Sequence, residues 1–141
     1  MSGVFTVDAG VFVSAFTPSG PAHQASKAFL RQAQQSGAPM ILPTLVIVEI
    51  AVPIGRGQGK PDLGYAFALE LGRFPGLTLI ALDDALAREA AELAARHCLR
   101  GSDAVYVAVA RRFAAALVTL DSGQAQRTGD LLIPIHLPAP D

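Results

Sequence analysis

Residues 4–8 read Val-Phe-Thr-Val-Asp, and residues 117–121 read Leu-Val-Thr-Leu-Asp. Each is a short β-favouring run that closes on an aspartate. Branched and aromatic side chains suit a pleated, buried surface, and the Asp-Ser-Gly at 121–123 is turn chemistry. Both runs therefore read as strands with an acid at the carboxyl end. Between them the periodicity alternates. Ala22–Gln35 carries Ala25, Phe29 and Ala33 at helical spacing and is stopped by Gly37 and Pro39. Met40–Leu42 reads as a short buried strand. Pro43-Thr44 reads as a helix start, with proline in the first turn and threonine as cap, and Pro53 is expected to kink or end that helix. Gly55–Pro61, GRGQGKP, reads as a flexible basic loop.

Leu63, Phe67 and Leu71 mark a further helix, and Leu77–Leu82 a strand. Asp83 or Asp84 caps a helix to about His97, with Arg88–Glu92 and Glu92–Arg96 as i,i+4 pairs. Gly101-Ser-Asp103 opens a helix running roughly to Ala115, and Leu132–Leu137 supplies a last strand. Strands alternating with helices predict an α/β class: a central, mainly parallel sheet of four to five strands flanked by helices. Ligands in such sheets gather at the carboxyl ends of the strands, which is where Asp8 and Asp121 fall.

The chain has 141 residues, enough for one domain with a real core, and is 51% hydrophobic and 16% charged. A net charge of −1 gives no bulk attraction to nucleic acid or an anionic membrane, so a polyanion has to be met by a local patch. The single cysteine, Cys98, has no disulfide partner in the chain and no neighbour at metal-ligand spacing, which suits a reducing, cytoplasmic setting. The first basic residue is Lys27, so no signal peptide is expected, and no apolar run is long enough for a membrane span.

Two more acids stand out. Glu49 is the lone charge in Leu45–Ile54, LVIVEIAVPI, and Asp103 opens a helix that continues AVYVAVA. A buried, unpaired carboxylate costs several kcal/mol, and no Lys or Arg lies within six residues of Glu49. Singly, each acid has a plain structural reading: turn formation for Asp8 and Asp121, the helix dipole for Asp103, a wet helix face for Glu49. Together they would share one rim of the sheet, and their repulsion needs relief by protons or by a cation. Carboxylate oxygens suit Mg²⁺ or Mn²⁺. Zinc is disfavoured, because His23, His97 and His136 are scattered.

The order of these motifs resembles the PIN-domain ribonucleases. Val7-Asp8-Ala9 is similar to their first motif, Glu49 in LVIVEIA to the second, Leu99–Ala110 around Asp103 to the third, and Leu117–Asp121 to the fourth. The resemblance spans residues 1–141 as one PIN-like, Rossmann-like α/β/α domain, and its small form is similar to VapC-type toxins of bacterial toxin–antitoxin pairs. It departs in two places. Gly10 stands two positions after Asp8, where many relatives carry Ser or Asn. The SGQAQ after Asp121 lacks the apolar residue often found three positions on, and Asp130 is the fallback fourth acid.

The resemblance implies Mg²⁺- or Mn²⁺-dependent hydrolysis of RNA, with Asp8, Glu49, Asp103 and Asp121 as metal-binding and catalytic residues. A metal would activate water and polarise the phosphate, and a second near Asp121 would sit roughly 3.5–4 Å away. Thr119 and Ser122 are candidates to support the fourth motif. Arg100, Arg56 and Lys60 are candidates for RNA phosphate contact, with Arg111 and Arg112 further along the third-motif helix. Phe67, Leu71 and Phe74 are either core or an exposed patch. By family likeness such a patch serves a homodimer or a cognate antitoxin. Two rivals stand beside this reading. One is a catalytically inactive PIN-like module that binds RNA or protein, separable by metal affinity and Asp→Asn changes. The other is a phosphohydrolase of small esters, against which Gly10 replaces the second Asp of haloacid-dehalogenase-type loops and no GK[ST] loop is present.

Overall fold

The computed structural model describes residues 3–132 and 134–137; Ile133, inside the expected last strand, lies outside them. Strands are β1 (Phe5–Val7), β2 (Met40–Pro43), β3 (Leu77–Ile80), β4 (Ala116–Thr119) and β5 (Pro134–His136). Helices are α1 (Ala9–Ala15), α2 (His23–Ser36), α3 (Leu45–Gln58), α4 (Pro61–Glu70), α5 (Asp84–His97), α6 (Gly101–Arg112) and α7 (Ser122–Arg127), with a 3₁₀ turn at Leu71–Arg73.

All pairings are parallel, in the order β3-β2-β1-β4-β5. The chain starts in the middle, builds two strands to one side, then crosses to build two on the other. Right-handed crossovers therefore put α1–α4 on one face and α5–α6 on the opposite one. The packing agrees: α1 meets α2 and α3, α3 meets α4, and α5 meets α6. The fold is thus an α/β/α layer structure with five parallel strands.

Helix α6 explains its own composition. Every residue from Asp103 to Ala110 is buried, because it lies between the sheet and α5 and touches β1, β2 and β4. A helix that is apolar all round belongs inside. Helix α5 is amphipathic instead, burying Leu86, Ala90 and Leu93. It is capped as expected, Asp83 accepting from the Leu86 N–H at 2.9 Å.

Five local expectations are corrected. Pro43 ends β2 and is not in a helical first turn. Thr44 makes no cap bond; its Oγ1 accepts from the Leu82 N–H at 3.2 Å instead, tying the ends of β2 and β3. Helix α3 does not end at Pro53 but runs on to Gln58. Pro53 is exposed, so water can satisfy the carbonyl its missing N–H frees. The glycine-rich segment is mostly helix, and its glycines let α3 and α4 press together. A Cβ on Gly64 would collide with the Ala51 carbonyl oxygen and stand 2.7 Å from the Gly55 nitrogen. Finally, Arg88 pairs with Asp84 at 2.9 Å, while Glu92 pairs with Arg96 at 3.1 Å. An acid one turn N-terminal to its base is the better orientation.

Of the three residues read as core or patch, Leu71 is core, and Phe67 and Phe74 are half-buried against it. Phe67 packs on Phe16 and Phe74 edge-on against Phe12, while Leu71 is buried. Among the described residues, most of the exposed large apolar side chains lie on the outer faces of α3 and α4: Val48, Val52, Leu63, Tyr65 and Leu69.

Candidate active site

Strand order reverses between β1 and β4, and this is where open parallel sheets bind ligands, beyond the strands' carboxyl ends. Asp8 directly follows β1, and Asp121 follows β4 after Leu120. The Asp8 N–H donates to the Val118 carbonyl at 2.9 Å, so the two strand ends are stitched together. Asp103 comes to the same rim in the first turn of α6. Glu49 comes from the second turn of α3, after β2.

Three of these acids lie near enough to act on one another's charge. Burial, then the charges of Asp103 and Glu49, push the Asp8 carboxyl up from its ordinary 3.8 to about 6. Three acids thus sense one another. The fourth is joined through a base. Arg100 Nε donates to Asp103 Oδ2 at 3.0 Å, and Nη2 donates to Asp121 Oδ2 at 3.4 Å. The remaining Asp121 oxygen caps α7, accepting from the Gly123 and Gln124 N–H groups at 2.8 and 3.1 Å.

Thr119 is the hub beneath. It is fully buried at the end of β4. Its hydroxyl accepts from the Asp121 N–H at 3.0 Å and contacts Gln124 Oε1 at 2.7 Å and Asp8 Oδ2 at 3.4 Å. The hydroxyl has one proton, and the shorter contact marks Gln124 as its acceptor. Gln124 explains the missing apolar residue three positions after Asp121: it is buried, and it fixes the threonine under both strand-end acids. Sequence reading missed this role, although the polar residue at that position was its visible sign. It also missed Tyr106. Its hydroxyl is buried without a partner, as is Glu49 Oε1. Burial, followed by the nearby Glu49 carboxylate, raises the tyrosine hydroxyl above its usual range.

Other candidates lie elsewhere. Ser122 is exposed at the start of α7. Asp130 is exposed beyond the far end of α7, whereas Asp121 shares Arg100 with Asp103. Arg56 is on α3, seven residues past Glu49 and so roughly 10 Å along the axis, and Lys60 follows in the α3–α4 turn. Arg111 and Arg112 close α6 at the end opposite Asp103, and Arg112 pairs with Glu89 at 2.7 Å. A Cβ on Gly10 would meet only open space, so nothing there demands a glycine.

The donor set suits a hard divalent ion in kind: carboxylate oxygens, crowded together, with one Glu49 oxygen buried and unsatisfied. In this side-chain arrangement no three His, Cys, Asp or Glu among the described residues stand close enough to hold one ion. Two of the carboxylates are turned toward Arg100.

A family model described as PIN domain matches residues 5–130. The chain belongs to the PIN-domain family. Solved structures share this PIN fold across nearly their whole length. VapC20 of Mycobacterium tuberculosis, described as a Sarcin-Ricin loop cleaving toxin, is 17% identical with a TM-score of 0.73, over 94% of this chain and 98% of that one. VapBC2 of Rickettsia felis, bound to a promoter DNA fragment, gives 13% and 0.67, over 96% and 99%. FitAcB of Neisseria gonorrhoeae gives 15% and 0.66, over 93% and 96%. No protein with a curated description matches the sequence. Among the described residues, no helix is long and apolar enough to cross a membrane.

Proposed function

We propose that this PIN domain is a divalent-metal-dependent endoribonuclease, the toxin of a toxin–antitoxin pair. The observation that carries the reading is the crowding of acids at the β1–β4 crevice. Burial and the charges of Asp103 and Glu49 push the Asp8 carboxyl up to about 6, the kind of perturbation that gathers at functional sites. Asp8, Glu49, Asp103 and Asp121 would hold Mg²⁺ or Mn²⁺. When bound, such an ion supplies an activated water and neutralises charge on the phosphate.

The protein's own contribution is placement. Thr119, held by Gln124, fixes the Asp121 backbone from below and lies 3.4 Å from an Asp8 carboxylate oxygen. Tyr106, buried near Glu49, offers that carboxylate a donor. Arg100 stands at the mouth, where a guanidinium can meet phosphate oxygens two at a time. Arg56 and Lys60 extend positive charge away from the centre for the flanking backbone, which positions RNA without reading its sequence. The exposed Val48, Val52, Leu63, Tyr65 and Leu69 offer a surface for an antitoxin or a second copy. The similar structures described as toxins or toxin–antitoxin complexes support this assignment.

The test is cleavage of total RNA with Mn²⁺ by partner-free protein, with new ends mapped by sequencing. Discrete cuts by the wild type, lost in Asp8→Asn and Asp103→Asn and suppressed by EDTA, are expected. Cuts that persist in both variants would refute the assignment.

A further inference from the structure

The acidic rim carries its own cation. Cys98 ends α5 with a left-handed φ of 54°, and two residues later Arg100 stands at the N-terminal boundary of α6. From there one guanidinium spans two motifs, reaching Asp103 at 3.0 Å and Asp121 at 3.4 Å. The Arg100 side chain is 76% exposed, against 11% for Asp103. The positive charge therefore approaches from solvent, and its side-chain hydrogen bonds go to these two carboxylates.

We infer that Arg100 is a built-in competitor of the divalent ion: it bridges Asp103 and Asp121 in the metal-free protein, yields Asp103 when an ion takes that carboxylate, and is then free to hold a substrate phosphate. The inference rests on the metal-dependent reading above. A carboxylate oxygen coordinated at about 2.0–2.1 Å by Mg²⁺ is a poor simultaneous partner for a guanidinium, because the two cations repel at that range. An exposed ion pair shifts an equilibrium only modestly, by roughly two- to five-fold. The arginine thus tunes ion binding without blocking it. It also offsets part of the repulsion between Asp103 and Asp121 in the metal-free protein, and it links loading of the ion to release of a phosphate-binding group.

A purely structural arginine predicts the opposite sign, since removing it would loosen the site and weaken ion binding. The test is calorimetric titration of Mn²⁺ into metal-free full-length protein, wild type and Arg100→Gln. Tighter binding by the variant, roughly two- to five-fold, is expected. A second measurement follows the Arg100 Nε–H resonance, which should move on adding Mg²⁺ and also in metal-free Asp103→Asn. Equal or weaker Mn²⁺ binding by Arg100→Gln, or an Nε–H signal indifferent to Asp103→Asn, would overturn the inference while leaving the metal-dependent reading intact. Failure of wild type and variant alike to bind Mn²⁺ would overturn both.

Discussion

Replacing Asp8 by Asn removes one charge from the crowded rim and keeps the side chain's shape. The carboxyl is raised from 3.8 to about 6. Between those two values the unfolded chain has lost this proton while the folded chain still holds it. Raising the pH through that window therefore destabilises the fold. At about 1.4 kcal/mol for each tenfold step, the rise from 3.8 to about 6 corresponds to at most ~3 kcal/mol, reached above pH 7. Asp8 is only partly buried, so water and side-chain relaxation reduce this to about 1–2 kcal/mol. Asp8→Asn should recover that amount at pH 7.5, progressively less toward pH 4, where the wild-type carboxyl is protonated in the fold. The assay is urea unfolding in EDTA at pH 4.5, 6 and 7.5, reading the midpoint at constant m-value. The same variant should lose its stabilisation by Mn²⁺, a trade of function for stability. An Asp8→Asn protein no more stable than wild type at pH 7.5, or a gain independent of pH, would refute the electrostatic reasoning.

Thr119→Val keeps a strand-favouring shape but leaves Gln124 Oε1 and the Asp121 N–H without their partner; denaturation should show a loss of about 1–3 kcal/mol, whereas exposed Ser122→Ala should stay within about 0.5 kcal/mol. Gly64→Ala drives a Cβ into the α3 backbone, which cannot step aside, and overpacking of this kind should cost ~3 kcal/mol or more. Gly57→Ala, in α3 with open space around it, should instead stabilise by about 0.5–1 kcal/mol in the same melts. The Tyr106 hydroxyl has no partner in the metal-free site, so Tyr106→Phe should change metal-free stability by less than about 1 kcal/mol.

The sheet was legible because its strands announce themselves locally. The runs VFTV and LVTL are short, apolar and ended by acids, and the helices between them keep their spacing. The rim followed from the rule about strand ends. What stayed hidden depends on contacts between distant segments. Gly55 reads as loop material and Gly64 as an ordinary helix residue, because nothing local says that α4 lies against α3 closely enough to exclude a Cβ. Pro53 reads as a helix breaker until the helix is seen to face water there. Helix α1, AGVFVSA, is too apolar and too branched to separate from a strand by pattern alone. Gln124 reads as a defect in the fourth motif until it is found buried against Thr119. Arg100 was visible as a basic neighbour of Asp103. Its reach to Asp121, 21 residues on, belongs to the fold.

The central claim is that the four acids share a divalent ion, and a Mn²⁺ titration of partner-free protein tests it most directly. The melting temperature of wild type and Asp103→Asn would be followed as Mn²⁺ is added. A saturable rise in the wild type that vanishes in Asp103→Asn is the predicted result. An unmoved melting temperature in both, or an equal rise in both, would contradict it.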